Sequence, residues 1–224
     1  MIKQKKLYRF ERKLLVTEVS APTIESIIKL HPALFKEIYF ERWVNNIYFD
    51  FYDYKNYLLN VNGFYKRLKI RVRWYGDLFK KIERPILELK KKSGELGTKD
   101  SYPLQAFELK QNEAINLKDI FNNSNLPLEI KSMLSTVKPV LINRYQRKYY
   151  LSSCGRYRLT IDKDLDYYEI TANSQRRNIR DYDGSISIVE VKYNESDDND
   201  ADSVLNKLPF RVTRSSKYVM GLSR

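Results

Sequence analysis

Apolar and charged residues alternate one by one along several short stretches of this chain. Leu68, Ile70, Val72 and Trp74 alternate with Lys69, Arg71 and Arg73. Tyr8, Phe10 and Leu14 alternate with Arg9, Glu11 and Lys13, broken only by Arg12. Leu87 and Leu89 alternate with Glu88 and Lys90, and Val189, Val191 and Tyr193 with Glu190 and Lys192. Tyr157, Leu159, Ile161 and Leu165 alternate with Arg156, Arg158, Thr160, Asp162 and Asp164, Lys163 being the exception. A period of two is a strand period, so each stretch sorts its charges onto one face and its apolar groups onto the other. The pattern predicts strands over 7–16, 46–52, 67–75, 84–92, 101–107, 139–151, 156–163 and 186–193. Turn-forming Val61-Asn62-Gly63, Gly76-Asp77 and Ser93-Gly94 end some of the segments.

Helical spacing is confined to the stretches between. Residues 22–37 carry Ile24, Ile27, Ile28 and Leu34, interrupted at His31-Pro32. Residues 109–137 read as two or three short helices, 201–208 as another, and 213–224 as a C-terminal one. Tyr54–Asn62 and 166–184 read as connections, the second with room for a strand, and the acidic run 195–202 as a loop. About eight strands are enough to close a barrel. The expectation is therefore an α+β fold dominated by an eight-stranded antiparallel β-barrel, helices packed outside, in a single domain over residues 1–224.

Composition narrows the chemistry. Forty-one Lys and Arg against 28 Asp and Glu give a net charge of +13, which favours nucleic acid, anionic lipid or free phosphate compounds as partners. Eighteen Tyr and ten Phe suit strands. A single histidine, His31, excludes His-based metal sites and Ser-His-Asp catalysis, and a single cysteine, Cys154, excludes an intrachain disulfide. There is no glycine-rich phosphate loop, so phosphates would be held by side chains. A metal would sit on oxygen ligands, which points to Mg²⁺ or Mn²⁺. No apolar run approaches the roughly 20 residues of a membrane span, and no signal peptide is visible. The expectation is a cytoplasmic protein that meets a membrane only through a partner.

If a closed sheet turns the charged faces inward, it forms a lumen for a polyanion and its metal ion. Arg71 and Arg73, two apart, place two guanidinium forks where neighbouring phosphates of one chain can be gripped. Lys13, Lys69, Lys90, Arg144, Lys148, Arg158 and Lys192 are further strand-borne cations. The aromatics fall mostly on the opposite phase or in loops, which argues against a single-strand nucleic-acid groove.

In chain order, Arg9-x-Glu11-x-Lys13, Tyr48-Phe49-Asp50, Lys69-x-Arg71-x-Arg73-Trp74-Tyr75-Gly76 and Leu87-Glu88-x-Lys90 are followed by Asn143-Arg144-Tyr145, Arg158-x-x-x-Asp162, Val189-Glu190-x-Lys192-Tyr193 and Ser216-Lys217-Tyr218. This series resembles the VTC domain of the vacuolar transporter chaperone polyphosphate polymerases, within the triphosphate tunnel metalloenzyme (CYTH-like) superfamily. The resemblance covers about residues 7–224. It implies an eight-stranded antiparallel tunnel in which the terminal phosphoryl of ATP passes to a growing inorganic polyphosphate chain, with Mn²⁺ or Mg²⁺ as cofactor. It implies that Lys13, Arg71, Arg73, Lys90, Arg144, Arg158 and Lys217 hold triphosphate and product, joined by Lys69, Lys148 and Lys192. It implies Glu190 as principal metal ligand, with Glu88, Asp162 and Glu11 in support. Hydrolytic members of the superfamily begin with Glu-x-Glu-x-Lys. Arg9 at the first of those positions removes a ligand, adds a cation, and favours the polymerase over a tripolyphosphatase or nucleoside triphosphatase. A module that binds polyphosphate without turnover is the remaining alternative. The 224 residues contain neither the inositol-phosphate-binding domain nor the membrane segments of the eukaryotic polymerases.

Overall fold

The computed structural model describes residues 9–94, 96–170, 175–178 (backbone) and 186–223. The strands are β1 (Arg9–Val16), β2 (Lys36–Phe51), β3 (Lys66–Tyr75), β4 (Lys81–Ile82), β5 (Ile86–Ser93), β6 (Leu96–Pro103), β7 (Phe107–Glu108), β8 (Val137–Leu151), β9 (Arg158–Ile170), β10 (Gln175–Asn178), β11 (Ser187–Asn194) and β12 (Val212–Thr213). The helices are α1 (Ala21–Lys29), α2 (Lys55–Val61), α3 (Lys118–Asn123), α4 (Leu128–Leu134), α5 (Asp198–Leu205) and α6 (Lys217–Leu222).

Eight strands close on themselves in the order β9-β11-β1-β6-β5-β3-β2-β8 and back to β9, all antiparallel. The ring is not evenly disposed about an axis, so it is a barrel only approximately. β10 extends β9 and β12 lies on β1, while β4 and β7 form a separate two-stranded ribbon.

The alternation decides which side is which. Ile47, Phe49, Ile70, Val72, Trp74, Leu87 and Leu89 point outward and are covered by Phe107, Leu117, Phe121 and Leu134 from the excursion that carries α3 and α4. Leu14, Val16, Leu159, Ile161, Val189 and Val191 form a second outer core under Ile24 and Ile28 of α1 and Val204 and Leu205 of α5. Burying these strips outside the ring supplies the hydrophobic driving force, and it leaves the opposite phase, with its charges, inside.

Several elements depart from the pattern-based reading. The helix predicted over 22–37 stops at Lys29, because Pro32 cannot continue it and Leu34 turns left-handed at φ 50. Residues 36–45, outside the predicted second strand, extend it to sixteen residues. Tyr54–Asn62 holds α2 rather than a connection; buried Asp50 caps it by accepting the N–H groups of Asn56 at 2.9 Å and Tyr57 at 2.9 Å. The strand predicted over 101–107 runs instead over 96–103, and 107–108 belong to the ribbon. The acidic run is helical from Asp198, where Asp198 and Asp200 complement the positive end of α5. Within the predicted connection over 166–184, β9 continues to Ile170 and β10 occupies 175–178. Residues 7 and 8 of the predicted first strand, 171–174 and 179–184 of that connection, residue 185 and Arg224 lie outside the described residues.

Candidate functional site

The inward faces enclose a cavity of about 540 Å³. Among the described residues, twelve Lys and Arg side chains line it against two carboxylates, Glu11 and Glu190. Strand register explains the crowding. Across β3 and β5, Lys69 stands beside Lys90 and Arg71 beside Glu88; across β1 and β11, Lys13 stands beside Glu190 and Glu11 beside Lys192. Lys217 enters from α6, whose N-cap Ser216 accepts a hydrogen bond from Lys69 Nζ at 2.7 Å.

One part of the lining is built of arginines locked in place. Arg71 donates from Nε to Glu88 at 2.7 Å, and Lys99 reaches the other oxygen of the same carboxylate at 2.5 Å. Arg73 donates to Asn46 at 2.8 Å and to the Tyr145 hydroxyl at 3.1 Å, while its guanidinium stands 3.7 Å from Glu88. Arg147 grips Asp162 with both Nε and Nη2, and Lys217 pairs with the same fully buried carboxylate. Burial opposes charging these groups, but the neighbouring charges win: Glu88 and Asp162 are held below the usual carboxylate range, and Arg71 and Arg147 above the usual arginine value. Burial raises the Tyr145 phenol, yet Arg147 and Arg73 outweigh it and bring the phenol down to about 8.

The other part is built of lysines. Burial, aided by Lys13, Lys90 and Arg71, pulls Lys69 well below its ordinary value. Burial also takes Lys90 down to about 8, although Glu11 opposes the shift, and it lowers Lys217 against the pull of Asp162. Lys192 moves the other way: burial is outweighed by Glu190 and Glu11. Glu11, raised by burial and pulled down by Lys90 at 2.5 Å, is held at about 2, and Glu190 is likewise well below the carboxylate range, with Lys192 the foremost counter-charge. The buried Arg67 Nε and Ser215 Oγ, both on cavity-lining residues, have no partner among the described residues.

The structure brings Lys13, Lys69, Arg71, Arg73, Lys90, Lys192, Lys217, Glu11 and Glu190 to this cavity, and sets Glu88 and Asp162 directly behind its arginines. It does not bring Arg144, Lys148 or Arg158 to the lining. Arg144 lies over the Trp43 ring, 3.8 Å from its centroid; Lys148 pairs with Glu25 of α1 at 2.6 Å; Arg158 is exposed at the end of β9. Arg147 and Tyr145 take their place, since β8 turns Asn143, Tyr145 and Arg147 inward. Arg144 and Lys148 face the other way because Tyr145 is the single apolar position from 143 to 148 and the pairing with β9 shifts register between Arg144 and Gln146, so no alternation sets the phase. Lys92, Arg67 and Arg214 also line the cavity and follow from no motif.

Among the described residues, no three His, Cys, Asp or Glu side chains are grouped closely enough to hold a metal ion by themselves. Glu190 Oε1 meets Lys192 at 2.8 Å, whereas Oε2 meets Arg147 only at 4.0 Å, which leaves it the less engaged oxygen. One or two carboxylates with the remaining positions filled by phosphate oxygens and water is how a hard divalent ion is commonly bound. Glu190 fits that arrangement, and Glu11 would join it on releasing Lys90, which holds both its oxygens at 2.5 Å.

A closed antiparallel ring with a cationic lumen defines the triphosphate tunnel class. The most similar solved structures include a candidate adenylyl cyclase from Hippeastrum with a dominant triphosphatase activity, 12% identical, TM-score 0.54, covering 96% of this chain and 94% of its own. A protein from Pyrococcus horikoshii is 13% identical, TM-score 0.51, covering 95% and 97%. A candidate adenylate cyclase from Vibrio parahaemolyticus is 11% identical, TM-score 0.52, covering 94% and 97%. No curated protein matches the chain in sequence. A profile of the VTC domain matches residues 8–224, and the chain belongs to that family. The wider tunnel group uses divalent metals, and the domain is polyphosphate-related.

Proposed function

We propose that this protein is a polyphosphate polymerase, which transfers the terminal phosphoryl group of ATP to an inorganic polyphosphate chain in the tunnel with Mn²⁺ or Mg²⁺ as cofactor. The observation that carries this reading is the lining of twelve cations against two carboxylates, an excess suited to a bound polyanion. Phosphoryl transfer depends on positioning and on neutralising charge more than on covalent help from the protein. Arg71, Arg73 and Arg147, already fixed by their partners, form a preorganised cradle for phosphate oxygens. Lys13, Lys69, Lys90, Lys192 and Lys217 neutralise the remaining charge. Glu190, with Glu11, would hold the metal, whose chemistry there would be to neutralise phosphate charge.

The acceptor is argued from the carboxylates. Glu11, Glu88, Asp162 and Glu190 are all paired with cations and all held at low pKa, so none is a strong base. A water nucleophile gains from proton removal, whereas the terminal oxygen of a polyphosphate chain is already anionic. The carboxylates therefore support a phosphate acceptor, which needs no proton removed, better than water. Arg9 points the same way, since it stands exposed where the hydrolases place a carboxylate.

Incubation with ATP and Mn²⁺, followed by a gel stained for polyphosphate, tests this. The expected ladder disappears with chelator and in Glu190→Gln, which still binds tripolyphosphate and melts normally. Free phosphate without a ladder would make the protein a triphosphatase. Tight polyphosphate binding with neither product would make it a binding module.

A further inference from the structure

Two aromatic residues at the cavity's rim are not explained by phosphate binding. Phe64 and Tyr65, where α2 leads into β3, line the cavity, yet they are 54% and 65% exposed. A phosphate chain offers an aromatic ring nothing to pack against.

Tyr65 is held in place. Gly94 donates its N–H to the Tyr65 carbonyl at 2.9 Å, and a Cβ on Gly94 would stand 2.7 Å from Tyr65 Cε2. Gly94, at φ +64, therefore serves both the turn and the seat of the ring. Beside it, Arg67 reaches the Gly94 carbonyl at 3.5 Å with Nη2, while its buried Nε lacks a partner among the described residues.

The spacing links this ring to the phosphate site. At about 3.3 Å per residue, Tyr65 lies roughly 13 Å along the strand from Lys69 and roughly 20 Å from Arg71. A ribose and three phosphates in extended form cover the shorter of these distances, to Lys69, and bare polyphosphate has no planar group to leave there. The geometry points to Tyr65, seated on Gly94 with Phe64 alongside, as a stacking platform for the base of a nucleoside triphosphate, and hence as the element that distinguishes a nucleotide from inorganic polyphosphate. This rests on the triphosphate reading of the cavity and names how its nucleotide is selected. Stacking tolerates different bases because each has a π face, so the platform confers preference for nucleotides as a class.

Calorimetric titration of the whole chain with tripolyphosphate and with ATP, both with metal chelated, tests it. Tyr65→Ala should weaken ATP about tenfold while leaving tripolyphosphate within twofold, and Tyr65→Trp should restore ATP. Tyr65→Leu keeps bulk on Gly94 without a π face and must show the same selective loss, which decides the matter if the alanine variant fails to fold. Equal losses for both ligands, or no loss for either, would overturn the platform while tripolyphosphate binding upheld the tunnel. If the unaltered protein failed to bind tripolyphosphate, the triphosphate reading would fall and the platform with it.

Discussion

The arginines and the lysines of this tunnel line one cavity and behave as two materials. Arg71, Arg73 and Arg147 are each tied to a carboxylate, and Arg73 also to Asn46 and Tyr145, so their forks are fixed before any ligand arrives. The lysines divide: Lys90, Lys192 and Lys217 pair with Glu11, Glu190 and Asp162, while Lys13 Nζ reaches a backbone carbonyl at 3.2 Å and Lys69 a serine hydroxyl. The arginines cannot discharge, whereas burial brings several of the lysines toward neutrality. The difference teaches that the arginine part sets geometry and the lysine part sets how strongly charge is felt.

The largest expected break in that comparison is Arg147→Ala. It leaves Asp162 fully buried with Lys217 alone, and removing one partner of a buried ion pair costs about 3–5 kcal/mol. Denaturant unfolding should show that loss, and Arg147→Lys, which keeps a cation beside Asp162, should retain part of the stability. An alanine variant as stable as the parent would mean that the arginine cluster does not hold the fold.

Of intermediate size is the response to pH. Lys90 releases its proton near 8 in place of its ordinary 10.5, and Lys69 is lowered as well. Tripolyphosphate affinity should therefore fall several-fold from pH 7 to pH 9, and binding near pH 8 should take up protons, seen as a dependence of calorimetric heat on the buffer. Stability moves oppositely. Between about 8 and 10.5 the unfolded chain binds the lysine proton and the folded chain does not, so Lys90's contribution to stability rises with pH across that window. Affinity flat from pH 7 to pH 9 would assign binding to the arginines alone.

The smallest effect is expected from Lys148→Ala. Its partner Glu25 lies on α1, outside the lumen, so tripolyphosphate affinity and melting temperature should both stay close to the parent's. A marked loss of affinity would put the boundary of the site in the wrong place.

How much of this was legible in the chain depended on contrast between neighbours. In β3, β5 and β11 the charges Arg71, Arg73, Glu88 and Glu190 each stand between Leu, Ile, Val or Trp neighbours, so the inward phase was readable, and with it Lys90 and Lys192 two residues further on. In β8 the run Asn143 to Lys148 has Tyr145 as its one apolar position, too little contrast to set the phase, and the buried arginine is Arg147. α2 was hidden for another reason: its cap is Asp50, supplied by a neighbouring strand, and local propensity does not report a tertiary partner. Ser216 and Lys99 take their roles from contacts 147 and 11 residues away in the chain, which no local pattern encodes.

The ring's closure has a topological consequence. A sheet that joins its own ends makes any occupant longer than the cavity a thread, free to slide along the lumen but not to leave sideways. Entry and exit are therefore confined to the ends of the lumen, because β1 lies between β11 and β6 and leaves the sheet no open side.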